Sequence, residues 1–266
     1  MNQAPIGIFD SGIGGLTVTR AIYERLPDES TIYFGDTARV PYGPKSPETV
    51  RRYSLEILQW LLSQGVKAVV IACNTSTAHA LRALQEATPV PVLGVIKPGA
   101  RAAIESGGGG PVGVIGTAGT IASDAYNRAI QALAPGLTVI QRACQLFVPL
   151  VEEGWFEHPA TELVAADYLR EMRDAHVRSL VLGCTHYPLL KPLLQRVMGP
   201  EVRLIDSGQA TAAALQTILV DRDLKAPPGS GSQHRFVVSD DEARFRQVGS
   251  RFIGERLGKA EVVPLG

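Results

Sequence analysis

Cysteine is scarce, with three residues, Cys73, Cys144 and Cys184, in a chain of 266. An odd number at wide spacing excludes a disulfide scaffold. The absence of any Cys-x-x-Cys pair argues against zinc or thioredoxin-like chemistry. An excess of one charge is also missing. Lysine plus arginine total 26 and aspartate plus glutamate total 26, so neither a nucleic-acid-binding surface nor an acidic tail is expected. The longest apolar segments, such as residues 68–73 and 180–182, are far too short to span a bilayer. No cationic stretch followed by an apolar run opens the chain, so a cytoplasmic location without membrane partners is expected. The lysines, among them Lys45, Lys67, Lys97 and Lys191, are scattered outside any Schiff-base context, which speaks against pyridoxal phosphate. Neither a cofactor nor a metal is expected.

What is present is the composition of an ordinary globular chain, 45% hydrophobic and 20% charged. Short apolar runs alternate with amphipathic stretches along almost the whole length. Strands are predicted at 6–9, 31–34, 68–72, 92–96, 112–115, 138–142, 179–183, 202–206, 236–239 and 261–264. Several are continuously apolar, as strands covered by helices on both faces of a parallel sheet should be. Ser46-Pro47-Glu48 supplies a cap, a first-turn proline and a first-turn acid, followed on one face by Val50, Tyr53, Ile57 and Leu61. A second helix is expected to start at Thr161-Glu162, with Leu163, Ala166 and Leu169 inside. The Gly/Ser/Pro-rich stretches 106–110 and 227–232 read as surface loops. The βαβα alternation predicts an α/β fold.

Two segments recur. Ile6-Gly7-Ile8-Phe9-Asp10 matches Val112-Gly113-Val114-Ile115-Gly116 in type at an offset of 106 residues. Val69-Val70-Ile71-Ala72-Cys73 matches Leu180-Val181-Leu182-Gly183-Cys184 at an offset of 111. Two matches in the same order predict two pseudo-symmetric α/β domains with mainly parallel sheets and a site in the cleft between them. The expected division is residues 1–97 plus 207–266 for one domain and 98–206 for the other.

The repeat singles out two cysteines. Cys73 and Cys184 each end a strand, where open α/β sheets form their ligand crevice, and each precedes small polar residues expected to open a helix. Free N–H groups and the partial positive charge of a helix start favour both a thiolate and a bound carboxylate. A lone strand-end cysteine would read as a small buried hydrophobe, and Cys144, without such neighbours, keeps that reading. Two equivalent thiols on opposite walls suit inversion of a stereocentre, where a base takes a proton from one face and an acid returns one to the other.

Asp10-Ser11-Gly12-Ile13-Gly14-Gly15 follows the first strand but lacks the G-x-G-x-x-G spacing of dinucleotide sites, and Asp10 would stand where a pyrophosphate belongs. Asp10 is better suited to orient an ammonium group or the Cys73 proton, and Ser11 to hydrogen-bond a substrate. Pro41-Tyr42-Gly43-Pro44 is a stiffened turn able to present N–H groups to an anion. His186 is either a cap or a group that tunes the adjacent thiol, whereas Glu152, in the polar patch Glu152-Glu153, reads first as part of a solvated face. A non-enzymatic metabolite-binding protein and a redox-active dithiol remain open alternatives on these residues.

Taken together, Phe9-Asp10-Ser11-Gly12-Ile13-Gly14-Gly15-Leu16-Thr17, Pro41-Tyr42-Gly43, Ala72-Cys73-Asn74-Thr75 and Gly183-Cys184-Thr185-His186-Tyr187-Pro188 resemble the glutamate racemases of bacteria, from Ile6 to Leu265. The resemblance implies a two-domain α/β enzyme that racemises glutamate without a cofactor, Cys73 acting on the D and Cys184 on the L enantiomer. It makes Asp10, His186, Asp36 and Glu152 further catalytic candidates. Asp10, Ser11, Pro41, Tyr42, Gly43, Asn74, Thr75, Thr117, Thr185 and His186 become substrate-binding candidates. It further implies D-glutamate supply to peptidoglycan synthesis, a homodimer, and aspartate racemisation as the nearest alternative. Ser239-Asp240-Asp241 departs from the threonine–glycine pair more usual there.

Overall fold

A computed structural model describes residues 2–265. One sheet contains β1 (Ile6–Asp10), β2 (Thr31–Gly35), β3 (Ala68–Ile71) and β4 (Val92–Gly94). The second contains β5 (Val112–Gly116), β6 (Val139–Ala143), β7 (Ser179–Gly183) and β8 (Arg203–Ile205). Strands β9 (His234–Val238) and β10 (Ala260–Val262) return to the first sheet. The orders are β10-β9-β2-β1-β3-β4 and β6-β5-β7-β8, with parallel pairings throughout. The second sheet therefore reproduces the β2-β1-β3-β4 order of the first. The segments that recur in sequence, β1 with β5 and β3 with β7, occupy equivalent central positions.

Helices α1 (Leu16–Arg25), α2 (Pro47–Ser63) and α3 (Asn74–Glu86) interleave with the first sheet. Helix α4 (Ile96–Gly107) leads into the second unit, which carries α5 (Ala118–Ala122), α6 (Ala125–Leu133), α7 (Phe147–Glu152), α8 (Pro159–Tyr168), α9 (Arg170–Asp174) and α10 (Lys191–Met198). Helix α11 (Ser207–Asp221) packs on both α1 and α4, and α12 (Glu242–Ile253) lies between β9 and β10. Among the described residues, no helix is long and apolar enough to cross a membrane.

The ten predicted strands form, and α2 starts as expected, with Ser46 accepting from the Thr49 N–H and Val50, Ile57 and Leu61 buried. Four local expectations are corrected. Ile96 opens α4 and does not end β4, since Val95 already adopts a helical backbone and Pro98 fits the first helical turn. Helix α4 runs on to Gly107, so the loop expected from Ser106 begins with a left-handed turn at Gly108. Helix α8 starts at Pro159 under a His158 cap and buries Thr161, Ala165 and Leu169 at i, i+4 and i+8. That register leaves Leu163 on the opposite face, 74% exposed, and Ala166 only half-buried. No α-helix follows Cys184 directly. Tyr187–Leu190 form a 3-10 turn before α10, because a continuous helix would bring the Pro192 ring against the Pro188 carbonyl.

At the amino ends of the first sheet's strands lies a buried ion pair, Lys67 Nζ to Glu29 Oε2 at 2.5 Å, each side chain 1% exposed. Glu29 also accepts from the Ala226 N–H at 2.8 Å, tying the segment before β9 to the start of β2. Removing one partner strands the other charge away from water. Glu29→Gln or Lys67→Met is therefore expected to lower unfolding free energy by about 3–5 kcal/mol, read by urea denaturation. The joint Glu29→Leu, Lys67→Met change should recover much of that loss. A single substitution costing under about 1 kcal/mol would show that the pair is not held in a low-dielectric interior.

Candidate active site

The carboxyl ends of both sheets face one cavity of about 210 Å³. In this strand order the crevice opens where the chain reverses direction beside the first strand, between β1 and β3 and, in the second unit, between β5 and β7. Asp10 and Cys73 leave the first pair, and Thr117 and Cys184 the second. Both thiols line the cavity and all three cysteines are free. Cys144 is fully buried in the core, as expected of a cysteine without polar neighbours.

The two units touch beneath this cavity. Thr185 Oγ1 donates to Asp10 Oδ1 at 3.4 Å, and Thr17 Oγ1 donates to the Thr185 carbonyl at 3.0 Å. A Cβ at Gly14 would stand 2.3 Å from Thr185 Oγ1 and 2.5 Å from His186 Nδ1. The glycine-rich loop after β1 thus serves close approach between the units, a use that the sequence did not announce.

The surroundings of the thiols differ. Cys73 is the N-cap of α3, and its Sγ accepts from the Ser76 N–H at 3.4 Å and donates to Ser11 Oγ at 3.6 Å. Burial, then the neighbouring Asp10 carboxylate, push this thiol up to about 11, against the opposing pull of its hydrogen bonds with Ser76 and Ser11. Asp10 is itself raised by burial, partly opposed by His186 and by the N–H groups of Gly15 and Gly12. Cys184 faces His186 Nδ1 at 3.9 Å, and His186 Nε2 meets Glu152 Oε1 at 3.0 Å. Burial alone would lower the imidazole. Contact with the Cys184 sulfur and the Glu152 carboxylate outweighs it and raises His186 to about 10. Glu152 is lowered despite its own burial by His186 and by Arg244, whose Nη2 lies 3.0 Å from Glu152 Oε2.

Between the thiols, polar groups converge. Thr75 Oγ1 meets Thr117 Oγ1 at 2.9 Å and Thr120 Oγ1 at 3.2 Å. Asn74 is 3% exposed, and its Oδ1 accepts from Tyr126 Oη at 2.7 Å while Nδ2 has no partner. Ser11, Pro41, Tyr42, Gly43, Thr185 and Glu152 also line the cavity. Asp10 and Asp36 do not. Asp10 lies directly behind the wall, whereas Asp36 is occupied by Arg39 Nε at 2.8 Å, by Ser239 Oγ at 2.8 Å and by the Tyr42 hydroxyl. It braces the Pro41-Tyr42-Gly43 loop and does not reach the cavity.

Sequence reading missed Thr37, Val40, Val148, Asp240, Asp241, Arg244 and Phe245 as lining residues. Several belong to the β9–α12 segment, where the one available signal was Asp241, which caps α12 through the Arg244 N–H at 2.9 Å.

Residues 6–215 match the model of a family described as Asp/Glu/Hydantoin racemase. A glutamate racemase of Geobacter metallireducens is 54% identical over 260 residues, 98% of this chain and 96% of that relative. The crystal structure of a glutamate racemase from Bacillus anthracis is similar at a TM-score of 0.95 and 39% identity, covering 100% of this chain and 99% of the other. That of Francisella tularensis, in complex with D-glutamate, gives 0.92 at 39% identity over 99% and 98%. The chain belongs to the Asp/Glu/Hydantoin racemase family and is an amino-acid racemase, an isomerase.

Proposed function

We propose that the protein interconverts L- and D-glutamate without a cofactor, Cys73 and Cys184 serving as the two proton carriers. The observation that carries this reading is the pair of thiols at equivalent strand ends of two like units, both lining one cavity. Glutamate is favoured by its extent of similarity to glutamate racemases, and a cavity of about 210 Å³ suits a small amino acid. Carboxylates would be met by Asn74 Nδ2, the hydroxyls of Thr75, Thr117 and Thr185, the Tyr42-Gly43 turn, and the first N–H groups of α3, which have no partner within their own helix. Ser11 offers a bound ammonium group an acceptor on the cavity wall, and the Asp10 carboxylate lies behind that wall.

In the L to D direction the Cys184 thiolate takes the α-proton and becomes a thiol. The electron pair left on Cα is delocalised into the carboxylate. The Cys73 thiol then delivers its proton to the opposite face and becomes the thiolate. Burial and Asp10 keep Cys73 protonated near neutral pH, which suits it as the acid of that step. Asp10, raised by burial and next to Cys73, can take the Cys73 proton for the reverse reaction. His186, held by Glu152, exchanges a proton with Cys184 on the other wall. The family resemblance implies a role in supplying D-glutamate for peptidoglycan synthesis in a bacterial cytoplasm. The family resemblance supports a homodimer, with each site complete within one chain. The units we assign as domains are 1–97 plus 207–266 and 98–206.

In deuterium oxide, L-glutamate should exchange its α-proton and lose optical rotation with no additive, faster than aspartate does. Cys73→Ala and Cys184→Ala should each slow racemisation on the order of 10²–10⁴-fold. Full activity in either variant would sink the two-thiol mechanism.

The His186–Glu152 pair predicts a pH dependence. Because the folded imidazole is raised, its contribution to stability is complete below about 6.5 and fades as pH climbs through about 10. Glu152→Gln should move the His186 ring titration, followed by NMR, down by about 1–3 pH units and shift the alkaline loss of stability with it. An unmoved titration would remove Glu152 from the relay.

A further inference from the structure

Asn74 is the one cavity-lining side chain among the described residues with a buried polar atom left unpaired, its Nδ2. An amide can present either its oxygen or its nitrogen to a ligand, and only a fixed partner decides which. Here the partner comes from the other unit. Tyr126, on α6, is fully buried and donates its hydroxyl to Asn74 Oδ1 at 2.7 Å. The phenol lies beside the Ser207 side chain at the start of α11, since a Cβ at Gly99 would stand 3.1 Å from Ser207 Cβ and 3.3 Å from Tyr126 Oη. With its hydrogen directed to Asn74 Oδ1, the phenol fixes which end of the amide is the acceptor. A flipped amide would set an N–H₂ donor against that buried hydrogen, at the cost of an unmade bond in a buried site. The ring is confined as well, because a Cβ at Gly183, the residue before Cys184, would stand 3.1 Å from Tyr126 Cε2.

We infer that Tyr126 is a positioning residue for the reaction, locking the Asn74 amide with its N–H₂ group towards the cavity so that it donates to a carboxylate of the substrate. The inference rests on the proposed glutamate chemistry. It assigns to α6, which contributes nothing to the cavity wall, control over how an anion is held beside Cys73. The bond also crosses between units, so the amide takes its binding orientation only when both units are in register.

The test is a double-substitution cycle read by steady-state racemisation of glutamate in both directions. Asn74 donates to the substrate in ground and transition states alike, so loosening it weakens uniform binding. Tyr126→Phe should raise KM roughly five- to tenfold and change kcat less than about threefold. In an Asn74→Ala background the same change should alter kcat/KM less than about twofold, because the amide it acts through is gone. A purely structural tyrosine would reduce kcat/KM by the same factor in both backgrounds, and that result overturns the inference, as does an unchanged KM in the single variant. Should Tyr126→Phe fail to fold, Ser207→Ala loosens the packing beside the phenol and carries the same cycle, with a KM rise of roughly twofold that must vanish in Asn74→Ala. If the unmodified enzyme does not turn over glutamate, the substrate reading and this role fall together. If it does and the substitutions multiply, the role of Tyr126 falls alone.

Discussion

Contact between the two units at the floor of the cavity governs the rest of the structure. Gly14 leaves no space for a side chain against Thr185 and His186, and the Asp10–Thr185 and Thr17–Thr185 bonds close the same seam. Two sheets whose carboxyl ends merely pointed towards each other would not serve a proton transfer. The proposed two-thiol reaction needs the reacting carbon within reach of a group on each side at once, and an error of about 1 Å in such a placement can cost on the order of 100-fold in rate. The seam fixes that separation, and the helices behind it transmit the constraint. Helix α11 braces α1 and α4, so the first-unit strand carrying Asp10 and the second-unit strand carrying Cys184 are held by one scaffold.

The equivalence of the units ends at the thiols. Cys73 caps a helix and sits beside a buried carboxylate, whereas Cys184 precedes a 3-10 turn and faces an imidazole paired with Glu152. One wall therefore carries net negative character close to the sulfur and the other a cation. A substrate with an ammonium and two carboxylates meets complementary fields on its two faces, and the two enantiomers need not experience equal surroundings.

Much of this was legible in the sequence because it lies in contiguous segments with strong local signals. Continuous apolar runs marked the ten strands, and the recurrence of β1 in β5 and β3 in β7 announced the duplicated sheet order. The cysteines stood out because strand-end thiols at equivalent places are uncommon in a chain with three. What escaped reading depended on packing. Leu163 matched an apolar helical pattern, yet the register set by the His158 cap and Pro159 turned it outwards. Asp36 looked like a site acid but is taken up by Arg39, Tyr42 and Ser239. Tyr126 and Arg244 belong to ordinary amphipathic helices, and only the tertiary arrangement brings them to Asn74 and Glu152.

The return of β9 and β10 to the first sheet has a consequence for biosynthesis. Strand β2 lies between β1 and β9, so its outer edge stays unpaired until residues from His234 onwards have left the ribosome. The second unit, whose strands lie wholly within 112–205, can complete its own sheet earlier. During translation the order of assembly is thus inverted for part of the molecule, with the later-encoded sheet closing before the earlier one. An exposed strand edge on the nascent chain is a place where it can pair with a neighbour, and that exposure lasts while the residues between Gly35 and His234 are made.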